Sequence, residues 1–162
     1  MIDWPGQALK CSFPHQYLQT MARIKIDLPE SFTFSTEIPI YIGHINYGHH
    51  LDNAQLISLV SEARVRYFKS MGYSELDVEG VGIVVADVAA QYRSEAFHGE
   101  TLRVDMTAND FNKYGCDLVW RLSDQASGRE VARGKHGIIF FDYTARKATS
   151  VPPAFVAKAQ QA

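Results

Sequence analysis

The sequence predicts an α+β domain in which one long central helix is wrapped by a curved antiparallel sheet of about five strands. Three observations carry that prediction. One central segment has helical periodicity. Nearly everything after it alternates apolar with polar residues between turn signals. The order is one strand, one helix, then four or so strands, and a lone helix covers such a sheet only by lying along it while the sheet curls around.

The first strand is read at Phe32–Ile42, "FTFSTEIPIYI", where aromatic and β-branched residues partly alternate. Pro39 cannot donate to a ladder, so this strand belongs at a sheet edge or ends near the proline. Gly43–His50 is polar, carries two glycines and reads as a loop. In the helix that follows, Leu56, Leu59, Val60, Ala63, Tyr67, Phe68 and Met71 recur at three- and four-residue intervals. Asp52 or Asn53 is the expected N-cap and Gly72 the expected stop. About twenty residues give a helix roughly 30 Å long.

The remaining strands are read in turn. Gly80–Glu95 is a long apolar, then alternating run. Leu102, Val104, Met106 and Ala108 share one face of the next strand, and Cys116, Leu118, Trp120 and Leu122 one face of the strand after it. "REVARGKHGIIFFDYTARKATSV" is long enough for one bent strand or two. Turn residues separate them at "HGE", "NKYG" and "SGR". The tail "PPAFVAKAQQ" reads as a short helix with proline in its first turn.

A chain of 162 residues has one domain as its natural prior. Met21 opens "MARIKIDLPESFTFSTEIPI", which looks like a domain start. Residues 1–20 are therefore read as an N-terminal extension and 21–162 as the domain. A net charge of −2 argues against a nucleic-acid binder. No apolar run is long enough to span a membrane. Residues 1–20 lack the basic start and apolar core of a secretory signal. The two cysteines, Cys11 and Cys116, form no CxxC pair and favour a reducing cytoplasm.

The chemistry concentrates in "GHINYGHHLDNAQLISLVSEAR", Gly43–Arg64, with three histidines and two carboxylates. A metal site is not expected there. Side chains of the adjacent His49 and His50 diverge on an extended backbone, and no HExxH or finger spacing is present.

The element order and the gapless run "HHLDNAQLISLVSEAR" resemble the hotdog fold, specifically the acyl-CoA thioesterases of the 4-hydroxybenzoyl-CoA thioesterase type. The resemblance covers about residues 32–145. His50 falls on the motif histidine, Asp52 and Asn53 on the paired asparagines, and Glu62, Ala63 and Arg64 on the helix signature. In one large clade of the family a catalytic aspartate stands in the loop before the histidine, and Asn46 holds that position here. Another clade takes its carboxylate from two turns down the central helix, where this chain has Glu62.

The resemblance implies hydrolysis of an acyl-CoA by a homodimer or homotetramer, with no cofactor beyond the coenzyme A of the substrate. Thioester hydrolysis needs a carbonyl polariser and a base or nucleophile. Orphan N–H groups near Asn53 and Ala54 at the helix start suit the first role. Glu62 is the first candidate for the carboxylate and Asp52 the second, with His50 and Asn46 orienting the reacting groups. The plainer readings are that Asp52 is only a helix cap and that Glu62 only pairs with Arg66 at i, i+4. Tyr47 and Lys113 are further expected substrate contacts, and Arg129, Arg146 and Lys147 further cations for the nucleotide end. A non-catalytic acyl-CoA binding protein is the alternative. A more distant one is an enoyl-CoA hydratase, whose loop resembles Asp-x-Asn-Pro-x-His; His44, Asn46 and His49 fall at that spacing, with Tyr47 at the proline. No nucleic-acid or membrane partner is expected.

Overall fold

A computed structural model describes residues 24–161. The extension read at residues 1–20 lies outside the described residues. The strands are β1 (Phe34–Pro39), β2 (Gly82–Tyr92), β3 (Thr101–Asn109), β4 (Gly115–Asp124), β5 (Glu130–Asp142) and β6 (Lys147–Ala148). The helices are α1 (Asn53–Ser70) and α2 (Pro153–Gln161). All pairings are antiparallel, in the order β1-β3-β4-β5-β2, with the two-residue β6 beside β5. This is the α+β hotdog arrangement, one long helix held in the curve of an antiparallel sheet.

The periodic residues of α1 do what their spacing implies. Leu56, Leu59, Val60, Ala63, Tyr67 and Phe68 are all buried, against Leu102, Val104 and Met106 of β3, Leu118, Trp120 and Leu122 of β4, and Ile138 and Phe140 of β5. At β5 the indole of Trp120 packs closely on Gly134, where a Cβ would come within 2.1 Å of the ring. Asp52 is the N-cap of α1, and its carboxylate accepts from Ala54 N–H and Gln55 N–H. Gly72 follows the helix end with a φ of +83°, which glycine adopts without penalty. On α2, Phe155 stacks on Phe68 at 5.6 Å and meets Phe140 edge-on at 5.1 Å, closing one end of the core.

Pro39 and the long C-terminal run resolve in ways the sequence allowed, while the details of the boundaries shift. β1 stops at Pro39, and a 3-10 turn at Ile42–His44 replaces the last residues of the predicted strand. The long C-terminal run is two strands, β5 and β6, because Asp142 turns the chain by accepting from Thr144 and Ala145 N–H. β2 carries a bulge between Val85 and Asp87, which bends that edge of the sheet.

The outer face of the sheet is not a simple polar surface. Asp105 is buried there between Arg103 and Arg121. Burial works against its charge, but hydrogen bonds from Arg121 and Arg103 outweigh it and hold the carboxyl below the ordinary range. The segment before β1 crosses this face: Ile26 N–H reaches Gln91, Phe32 lies under the Arg121 guanidinium, and the Thr33 and Thr107 hydroxyls pair.

Candidate active site

The site grows from a tight turn before α1. Ile45 and Leu51 bridge in antiparallel fashion, and Asn46 N–H donates to His50 O across the turn. The Asn46 side-chain oxygen accepts from Gly48 N–H at 2.8 Å, an Asx turn. His49 takes a φ of 64°, and His44 Nδ1 is occupied by Tyr41 N–H. The imidazole of His50 lies over Gly48, where a Cβ would meet Nε2 at 2.9 Å. His50 Nδ1 is 3.2 Å from Leu51 O and 3.5 Å from Asn46 Nδ2. The shorter contact favours Nδ1–H donating to Leu51, which leaves Nε2 as the acceptor.

Leu51 N–H then donates to Ala96 O at 2.7 Å, tying this turn to the segment that leaves β2. Between them lies a pocket of about 310 Å³. Its apolar wall is Leu51, Leu56, Ala96, Val131 and the ring of Tyr92; its polar lining is Asn46, His50, Asn53, Arg93, Ser94 and Glu95. The Tyr92 hydroxyl donates to Asn53 O at 3.3 Å, which seats the end of β2 against the start of α1. The pocket therefore opens on the positive end of a helix dipole.

The structure brings together Asn46, His50 and Asn53 from the sequence reading. Ala54 is nearby, but its N–H is committed to Asp52 Oδ1 at 2.8 Å. Asn53, as the first helical residue, has an N–H with no acceptor inside the helix. Asp52 spends its carboxylate on the cap.

Glu62 is not brought to the pocket. Nine residues separate it from Asn53, about two and a half turns, so it lies on the opposite side of α1. There it pairs with Arg66 at 2.7 Å, and Arg66 also reaches Thr36 and Glu37 O of β1, at the far edge of the sheet. Tyr47 is fully exposed at the tip of the turn. Lys113 sits over the Tyr114 ring beside Gly115, which pairs with Ile139, whereas the pocket lies at the Tyr92–Ala132 end. Arg146 lies in the β5–β6 turn and Lys147 opens β6, also at the far end. Only Arg129 of the four expected cations is near the pocket, and its guanidinium pairs with Glu100.

The sequence reading did not single out Tyr92, Arg93, Ser94 and Glu95 as lining residues. No local signal marks them, since "YRSE" reads as the polar end of a strand. Pairing between Leu51 and Ala96, distant in the chain, makes them neighbours of His50.

A family model described as the thioesterase-like superfamily matches residues 40–159. Among solved structures, the chain is similar to a 1,4-dihydroxy-2-naphthoyl-CoA thioesterase from Synechocystis, with a TM-score of 0.72 at 16% identity over 79% of this chain and 96% of that one. It is similar to a gentisyl-coenzyme A thioesterase, with a TM-score of 0.67 at 12% identity over 76% and 99%. A third is a Staphylococcus aureus protein in complex with CoA, with a TM-score of 0.70 at 16% identity over 83% and 85%. At these identities the likeness is one of fold. No curated protein matches the chain by sequence.

Proposed function

Because the chain belongs to the thioesterase-like superfamily, we propose that it hydrolyses the thioester of an acyl-CoA in the pocket at the start of α1. The observation that carries this reading is the pocket itself: an apolar wall meeting a helix N-terminus, with an imidazole beside it. The Asn53 N–H and the helix dipole hold the thioester oxygen as it gains charge. His50 Nε2 accepts a hydrogen bond from the attacking water and orients it. Coenzyme A departs as a thiolate that takes up a proton. The Synechocystis and Staphylococcus aureus neighbours, one a thioesterase of a CoA ester and one a CoA complex, support coenzyme A as the carrier.

The working unit in this reading is a homodimer or homotetramer, because the pocket lies at β2, an edge strand with exposed Val85, Val88 and Tyr92. Cytoplasmic residence is part of the same reading. Among the described residues no helix is long and apolar enough to cross a membrane.

One observation favours the alternative, a protein that binds acyl-CoA without cleaving it. The Asn46 side-chain oxygen is engaged within its own turn, accepting from Gly48 N–H.

Free-thiol release from a panel of aromatic, short-chain and medium-chain acyl-CoAs decides between them. Release from at least one class is expected. Saturable binding with no release from any would replace hydrolysis by binding.

A further inference from the structure

Resting on the thioesterase reading, we propose that Glu95 is the general base that takes the proton from the attacking water. Of the carboxylates in and around this region, Asp52 caps α1, Glu100 pairs with Arg129, Glu130 pairs with Arg133, and Glu62 lies across the helix, paired to Arg66. Glu95 lines the pocket with His50 and Asn53.

Its backbone is held on both sides. Arg93 N–H and Ser94 N–H donate to Val131 O at 2.8 and 3.2 Å, and Ala96 O accepts from Leu51 N–H at 2.7 Å. The Ser94 hydroxyl donates to Glu130 O at 2.7 Å. Arg129 donates to both Ser94 Oγ and Glu95 O. The Glu95 carboxylate, by contrast, has no ion pair among the described residues. Arg93 leans on Glu130 at 3.8 Å and Arg129 pairs with Glu100 at 3.0 Å. Glu95 is exposed where it lines the pocket, so a carboxylate on this fixed backbone can reach a water bound beside His50 and Asn53. The other carboxylates of the region are each spent on a cap or an ion pair.

The step balances without a further reactant. Glu95 removes a proton from water as the water oxygen bonds to the thioester carbon, and the carbonyl pair moves onto oxygen at Asn53 N–H. When the pair returns, the carbon–sulfur bond breaks, and the protonated Glu95 gives its proton to the departing thiolate.

The test compares Glu95→Gln, Glu95→Asp and Glu62→Gln with the wild-type chain, using the acyl-CoA that the panel identifies. Glu95→Gln should lower kcat by about 100-fold or more with little change in KM. Glu95→Asp should recover part of that loss. The acidic limb of the wild-type kcat profile should vanish in Glu95→Gln, a change that a merely structural residue would not produce. Wild-type turnover with Glu95→Gln within about threefold of it would overturn the proposal, as would loss in Glu62→Gln with retention in Glu95→Gln. No thiol release by the wild type overturns the thioesterase reading, and this proposal with it.

Discussion

His136, on β5, is 1% exposed, and its Nδ1 has no partner among the described residues. Its ring sits 6.1 Å from that of Trp120 on the core side of the sheet. Burial, with the nearby Arg64 charge adding to it, pushes its pKa down to about 4. The unfolded chain takes up this proton near 6.5, so between those values the unfolded state binds more protons. Stability therefore falls as the pH drops through this window, by up to about 3 kcal/mol at its acid end. Urea unfolding at pH 7.5, 5.5 and 4.5 should show that loss in the wild type and a flatter profile in His136→Leu. Equal slopes in the two proteins would assign the acid limb to other groups.

At the scale of elements, α1 links folding to the site. Its N-cap and the pocket's polariser share the same turn, so the cap has both a stability and a positional effect. Asparagine caps as well as aspartate, whereas alanine does not. Asp52→Asn is thus expected to keep both melting temperature and turnover. Asp52→Ala should lose about 1 kcal/mol, read as a Tm lower by roughly 2–4 °C. Turnover abolished in Asp52→Asn at unchanged Tm would move Asp52 from the cap into the chemistry. The same helix separates its two edges. Arg66 anchors one side to β1, and Tyr92 of β2 meets the other at Asn53. Motif residues that are close in sequence are therefore divided between two sides of the molecule.

At the scale of the whole molecule, β2 is an edge strand among the described residues. Among the described residues this 11-residue strand pairs with β5 alone, and beyond Ile83, which meets Glu75 O and the Tyr143 hydroxyl, its outer edge is a template for a second copy. Antiparallel pairing of β2 with itself would be isologous and would set the far end of one sheet beside the pocket of the other. That geometry would also return distant cations such as Lys113 toward a shared site. Light scattering on the eluting protein should give twice or four times the chain mass. Val88→Lys should lower that mass, because a charge on the edge opposes pairing. A wild-type protein that elutes at the mass of one chain would sink the oligomer.

The α+β class, the extent of α1, its Asp52 cap and its buried face were legible in the sequence, because each depends on spacing within one element. The hydrophobic alternation of β3 and β4 was legible for the same reason. Strand ends were less so: Pro39 marks a stop in the sequence, but the Asp142 turn and the bulge in β2 depend on hydrogen bonds that the residue pattern around them does not display. The site was half legible. His50, Asn46 and Asn53 lie in one continuous motif and stay together in the fold. Glu62 shares that motif, yet helix rotation carries it to the other side of α1. Tyr92 through Glu95 have no motif, and a single backbone pairing between Leu51 and Ala96 delivers them. Periodicity is a property of neighbours along the chain, whereas a pocket is made by residues that only the closed sheet brings into contact.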